Sequence, residues 1–186
     1  MSILNAISDS LQTNKRFSIL LLTAEIQLRL FAWETKNYGL FQALRGLVFR
    51  VRPKRLSSRR IKNRGETKVV SVDKIRFHRS PGYVAVIQRF KEGKAWEETL
   101  LPASSKLAIL TRGYARKKEW KRWEDLEPEL SKWDRLFEDI QLNGYREVSN
   151  NIKVTKGLEF VDGKHRLAMV HVLEIKRIPV TVVDLD

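Results

Sequence analysis

A mixed α/β fold is what this sequence predicts, and three stretches predict it. Residues 158–183 read as strand, tight turn, helix and strand; residues 69–77 read as a further strand; residues 17–33 carry helical periodicity. The expected architecture is a mixed sheet with flanking helices, preceded by a basic helical N-terminal region. The expected division is residues 1–67 for that region and its linker, and 68–186 for the α/β domain, with a helical insertion around 103–132.

Taken in order, Ile3 to Leu11 is short and amphipathic. Phe17 to Trp33 is the most hydrophobic stretch of the chain. Glu25 and Arg29 lie four apart within it, where they can pair on one helical face, and the apolar run before them is shorter than the roughly 20 residues that a bilayer requires. The expectation is a helix without a transmembrane span, whose apolar side is Ile19, Leu22, Ile26, Leu30 and Trp33, packed on the domain, dimerising or lying on a membrane surface. Residues 41–49 extend the pattern as a second helix. Arg50 to Lys68 holds nine basic residues and one acid, and reads as an exposed arm or linker.

Val69 to Phe77 alternates as a strand, residues 78–83 form a turn, and a helix runs from Tyr83 to Phe90. Residues 93–99 read as extended. Within the insertion, Arg116 to Leu130 is a charged helical run containing Trp120 and Trp123. Pro128 begins a new helix on whose apolar side lie Leu130, Trp133, Leu136, Phe137 and Ile140, and Gly144 closes it.

The chemistry concentrates at Asp162-Gly163-Lys164-His165-Arg166. Glycine accepts positive φ in a tight turn, and a helix beginning there aims unpaired N–H groups and its positive dipole end above the strand. Such a helix start binds anions. Lys164, His165 and Arg166 add donors, and Arg166 can grip a phosphate through two hydrogen bonds. Asp162 can cap the helix, hold a metal ion or orient a hydroxyl. The same residue types also occur at ordinary solvated turns.

That pentapeptide, followed by Ala168 and then by Ile178-Pro179-Val180, resembles the signature of the ParB/sulfiredoxin-like superfamily. Trp133 to Ile140 with Asn143-Gly144-Tyr145 is similar to the helix and turn before the second strand of such domains, and Val69 to Ile75 to their opening strand. The resemblance implies a nucleotide-binding domain in which Gly163, Lys164, His165 and Arg166 hold phosphates. Sulfiredoxin chemistry requires a cysteine in the turn, where this chain has Lys164 and no Cys anywhere. The partition proteins carry a helix-turn-helix domain after the nucleotide domain, whereas this sequence runs only to Asp186. The Asp-Gly-x-His-Arg form is closest to the serine-kinase-like branch. That branch implies a nucleotide-dependent phosphotransferase acting on a hydroxyl of a small molecule or glycoconjugate, with Asp162 and His165 as catalytic candidates. His165 is read there either as a proton carrier or as a phosphate ligand. His78, Arg79, Tyr83 and Glu159 are weaker substrate candidates. The implied cofactor is a nucleoside triphosphate or diphosphate, ATP/ADP or CTP, with Mg²⁺.

Composition bounds the alternatives. The absence of Cys removes disulfides, thiolate metal sites and Cys nucleophiles together and fits a cytoplasmic location. The net charge of +14 points to an anionic partner, and it is uneven: residues 1–68 hold fourteen Lys or Arg against four acids. Two other functions follow. One is a non-catalytic nucleotide-binding module that docks on nucleic acid through the basic arm, although no aromatic residues interleave the arm as base-stacking platforms. The other is a peripheral membrane protein of envelope metabolism.

Overall fold

In a computed structural model of the chain, residues 3–44, 61–112, 126–146 and 151–185 are described; side chains are described from Arg16 onward, except those of residues 61–64, Lys106 and 108–112. The elements are α1 (Ile3–Tyr38), β1 (Ile61–Ser71), α2 (Pro81–Phe90), α3 (Leu101–Arg112), α4 (Glu127–Asn143), β2 (Ile152–Val154), β3 (Phe160–Asp162), α5 (Lys164–Val172) and β4 (Arg177–Leu185). The mixed α/β architecture and the helical N-terminal region are both present.

The sheet runs β1-β4-β2-β3. β4 lies antiparallel to β1, from Ile61 opposite Leu185 to Ser71 opposite Arg177, and parallel to β2, with Ile152 opposite Val180. β3 completes the sheet antiparallel to β2. Ile178, Val180 and Val182 of β4 alternate into the core, while Val183 breaks the alternation and is buried too. The chain leaving β1 passes through a 3₁₀ turn at Val72–Lys74 and bridges Arg76 to Glu159, beside the start of β3.

Helix α2 is buried at every position from Gly82 to Gln88, because α1, α3 and α5 all touch it. Its neighbours fix it by polar as well as apolar contacts. Asp134 of α4 accepts from the Trp96 indole at 3.2 Å and from Arg89 of α2 at 3.4 Å, and Phe90 stacks on Phe137 with centroids 3.9 Å apart. Leu30 and Trp33 carry α1 into the same core, and burying each such side chain is worth about 1.5–3 kcal/mol.

Several boundaries differ from expectation. Ile3–Leu11 and Phe17–Trp33 belong to one helix, α1, with no break at Asn14 to Arg16. Of its expected apolar side, Ile26, Leu30 and Trp33 are buried and Ile19 and Leu22 half-buried. The first strand begins at Ile61 and ends at Ser71, so residues 61–68 are strand and not linker, and 72–77 leave the ladder. Residues 61–68 carry no strand signal in the sequence because they belong to an outer strand whose residues 65–69 are all exposed and which is bulged between Arg64 and Thr67; no apolar alternation marks them. Helix α2 begins two residues earlier than expected, at Pro81, with Ser80 as its N-cap. Residues 93–99 are not extended but fold around a 3₁₀ turn at Trp96–Glu98. Leu158 lies outside β3, with φ 58° at the turn between β2 and β3. Pro128 and Gly144 do bound α4 closely. The expected helix at 41–49 is described only for 40–44, and Trp120, Trp123 and the basic residues 50–60 lie outside the described residues.

Candidate functional site

The turn singled out by sequence sits where β3 hands over to α5. Gly163 is the N-cap, with φ 93° and ψ 29°, and a Cβ there would lie 3.1 Å from the Cα of Ile152 on β2. Both the left-handed conformation and the close strand demand glycine. Its carbonyl accepts the first helical hydrogen bond, from the N–H of Leu167 at 3.0 Å. The N–H groups of Lys164, His165 and Arg166 therefore have no acceptor within their own helix.

Asp162 is exposed at the end of β3. Its Oδ1 accepts from the N–H of Gly163 at 2.8 Å, and its Oδ2 faces the Lys153 ammonium at 3.3 Å. It therefore stiffens the turn without capping the helix. Its carboxylate remains exposed at the turn, beside a cation that the turn's own residues do not reveal. Lys153 lies opposite Asp162 in the hairpin register, a pairing visible only once β2 and β3 are aligned.

A second helix start lies against the first. Ser80 Oγ accepts from the N–H of Tyr83 at 3.3 Å, and Pro81 occupies the first turn, where its missing N–H costs nothing. A Cβ on Gly82 would come within 3.1 Å of His165 Nε2 and 3.2 Å of Cε and Nζ of Lys164. The lysine side chain thus lies over the first turn of α2 in room left by the glycine. At the far ends, Ile87 and Lys91 line one cavity with His171 and Val172. The two helices therefore run the same way, and their positive ends converge near Lys164.

His165 lies behind this mouth. Its ring packs on Trp133 of α4 with centroids 3.9 Å apart. Burial, reinforced by Lys164 and Arg166, lowers its pKa to about 3, so the ring is neutral at neutral pH. It can meet a phosphate only as a neutral donor. Arg166 has a buried Nε with no hydrogen-bond partner. The phenol of nearby Tyr145 accepts from the N–H of Ile152 at 3.1 Å, tying the loop after α4 to β2.

The remaining candidates lie elsewhere. Arg79 covers the ring of Tyr38 at the end of α1, 3.8 Å from its centroid. Tyr83 is buried, its pKa raised by desolvation, with its hydroxyl 3.1 Å from His171 Nδ1. That nitrogen also lies 2.8 Å from the carbonyl of Leu167, so it carries the proton and leaves Nε2 as the acceptor. Glu159 pairs with Arg76 at 3.3 Å, and His78 is exposed. Arg79 and Tyr83 thus gather toward the C-terminal half of α5, away from Lys164.

Among the described residues no group of three or more His, Cys, Asp or Glu side chains could hold a metal ion. A Mg²⁺ ion at the turn would use the Asp162 carboxylate and draw its other ligands from phosphate oxygens and water, the usual arrangement for that ion. No protein-family model, curated protein or solved structure matches the chain. Gly82, Lys153 and Trp133 join the site only through tertiary contact. The one advance signal was Ser80-Pro81-Gly82, which has the form of a helix start.

Proposed function

We propose that the α2–α5 mouth binds the phosphates of a nucleotide, and that the protein is a nucleotide-dependent phosphotransferase acting on a hydroxyl of a small molecule or glycoconjugate. The observation that carries the reading is the meeting of two helix starts at Gly82 with Lys164 laid between them. The N–H groups of Lys164, His165 and Arg166, that of Gly82, two dipole ends and an ammonium then come together, which suits an anion bearing more than one charge. In this reading Lys164 and the amides after Gly163 hold the transferring phosphates, and Arg166 supplies a further guanidinium. Asp162 orients the acceptor hydroxyl or takes its proton. Such chemistry consists mostly of positioning and charge neutralisation, so the small number of acidic groups is compatible with it. His165 packs on Trp133 as a neutral ring and carries no charge to the phosphates. The resemblance to the serine-kinase-like branch of the ParB/sulfiredoxin-like superfamily supports the same reading.

The test is a thermal-shift panel of ATP, ADP, CTP and GTP with and without Mg²⁺, run beside Arg166→Ala and Lys164→Ala. A ligand at one hundred times its dissociation constant stabilises by about 2.7 kcal/mol. Stabilisation of the wild type that is lost in both variants is the expected result, and transfer of the terminal phosphate to a hydroxyl acceptor is then assayed directly. If no nucleotide stabilises the wild type, the reading fails.

A second reading draws on β1. It is an outer strand of the sheet, its residues 65–69 are exposed, and it belongs to the most basic part of the sequence. A non-catalytic nucleotide-binding module docked on nucleic acid through that strand would show steeply salt-dependent binding and no phosphate transfer.

A further inference from the structure

Helix α1 has two apolar faces. Ile26, Leu30 and Trp33 face the core and are buried. On the opposite side Phe17, Leu21, Ala24 and Leu28 recur at spacings of four, three and four residues, with Leu20 beside them, and all five are exposed. Leu20 is 67% and Leu28 69% exposed. An amphipathic helix that merely covers a core would carry polar residues there. Beyond Tyr38 the chain turns at Gly39, and the helical residues after it expose Leu40, Phe41 and Leu44 as well, Phe41 by 77%. Seven large apolar side chains thus stand in water on α1 and the helical residues that follow it.

Charge identifies what covers them. Arg45, Arg50, Arg52, Lys54 and Arg55 follow Leu44 within eleven residues, and no acid interrupts them. These residues lie outside the described ones, and an extended chain spans at most about 3.3–3.6 Å per residue, so the sequence ties them to within about 40 Å of Leu44. A nucleic acid would satisfy the cations but presents no apolar surface for Leu20, Leu21 or Leu28. A second copy of the chain would match the leucines but bring the same cationic segment to the interface. An anionic bilayer offers both partners at once, with acidic headgroups above an acyl layer.

We propose that the exposed apolar face of α1, together with the exposed Leu40, Phe41 and Leu44, docks on the surface of an anionic lipid membrane, the net positive charge of this part of the sequence favouring acidic headgroups. The helix lies along the surface: no helix among the described residues is long and apolar enough to cross a bilayer. Docking leaves the face of α1 that holds Leu30 and Trp33 in the core, so binding requires no unfolding.

The test is flotation of the full-length chain with vesicles of pure phosphatidylcholine and with an equimolar mixture of phosphatidylcholine and phosphatidylglycerol. Binding to the mixed vesicles only, weakened by added salt, is expected, since each basic residue at the surface strengthens binding by about fivefold. The double variant Leu21→Glu/Leu28→Glu changes exposed side chains only. It should melt as the wild type does and bind the mixed vesicles at least roughly tenfold more weakly. Absence of wild-type flotation overturns the proposal, as does equal flotation of the double variant. Light scattering gives a further overturning result: a wild-type dimer that the double variant splits would assign the stripe to a second copy.

Discussion

Replacing Gly163 by alanine isolates the feature on which the phosphate turn depends. The residue has φ 93°, and an L residue held in the left-handed region costs about 1–2 kcal/mol. The new Cβ would also stand 3.1 Å from the Cα and 3.2 Å from the Cγ1 of Ile152. Ile152 is buried in β2 between β4 and β3, so the backbone it belongs to cannot yield cheaply, and such overpacking adds roughly 1–3 kcal/mol. The expected loss is therefore about 2–5 kcal/mol, or a fall of roughly 4–20 °C in Tm for a chain of this size. Gly93→Ala is the internal control: its φ is 71°, but nothing lies within 4 Å of the added Cβ. It should show the conformational cost alone, about 1–2 kcal/mol. Urea denaturation of the two variants gives both values. Equal losses would refute the assignment of a steric role to Ile152, and with it the close seating of the turn on β2.

Other perturbations test other parts. The pKa of His165 is about 3 in the fold and about 6.5 unfolded, so the unfolded chain binds the extra proton and acid favours unfolding; between those values stability should fall by about 1.36 kcal/mol per pH unit. His165→Gln should lose that part of the slope in pH-dependent melts, and an unchanged slope would show that the ring is not buried as described. Asp162→Asn breaks an exposed pair with Lys153 and should cost under about 1 kcal/mol of stability, yet abolish phosphate transfer; full turnover would remove the carboxylate from the mechanism. On α1, Leu30→Ala should destabilise by about 2–5 kcal/mol, whereas Leu28→Ala should stay within about 0.5 kcal/mol; similar values would contradict the packed face assigned here. Tyr145→Phe removes the acceptor for the Ile152 N–H and should cost about 1–3 kcal/mol in the same measurement.

What was legible in the sequence follows from where each signal resides. Gly163, Pro128, Gly144 and the β-branched run of β4 act through local backbone geometry, and their neighbours in the chain suffice to read them. The packed side of α1 was legible because Ile26, Leu30 and Trp33 lie on one helical face. The part of β1 before Val69 was not, since a polar edge strand has no periodicity to detect, and its pairing with β4 is a long-range choice. The same limit applied at the site. Nothing local tells that Gly82 will lie against Lys164, or that Trp133 will cover His165 and hold it neutral. The turn could be named from its own residues, but its second helix start could not.

The pairing of β1 with β4 has a consequence for synthesis. Ile61 waits for Leu185, and at about 5–20 residues per second the ribosome takes on the order of ten seconds to supply it. Throughout that interval β1 is a nascent strand with no partner, the state most prone to wrong pairing. Glu66 and Lys68 stand exposed along it, and charges so placed discourage association between chains emerging from neighbouring ribosomes. The polarity that hid the first part of β1 from pattern recognition also serves as its protection before the sheet closes.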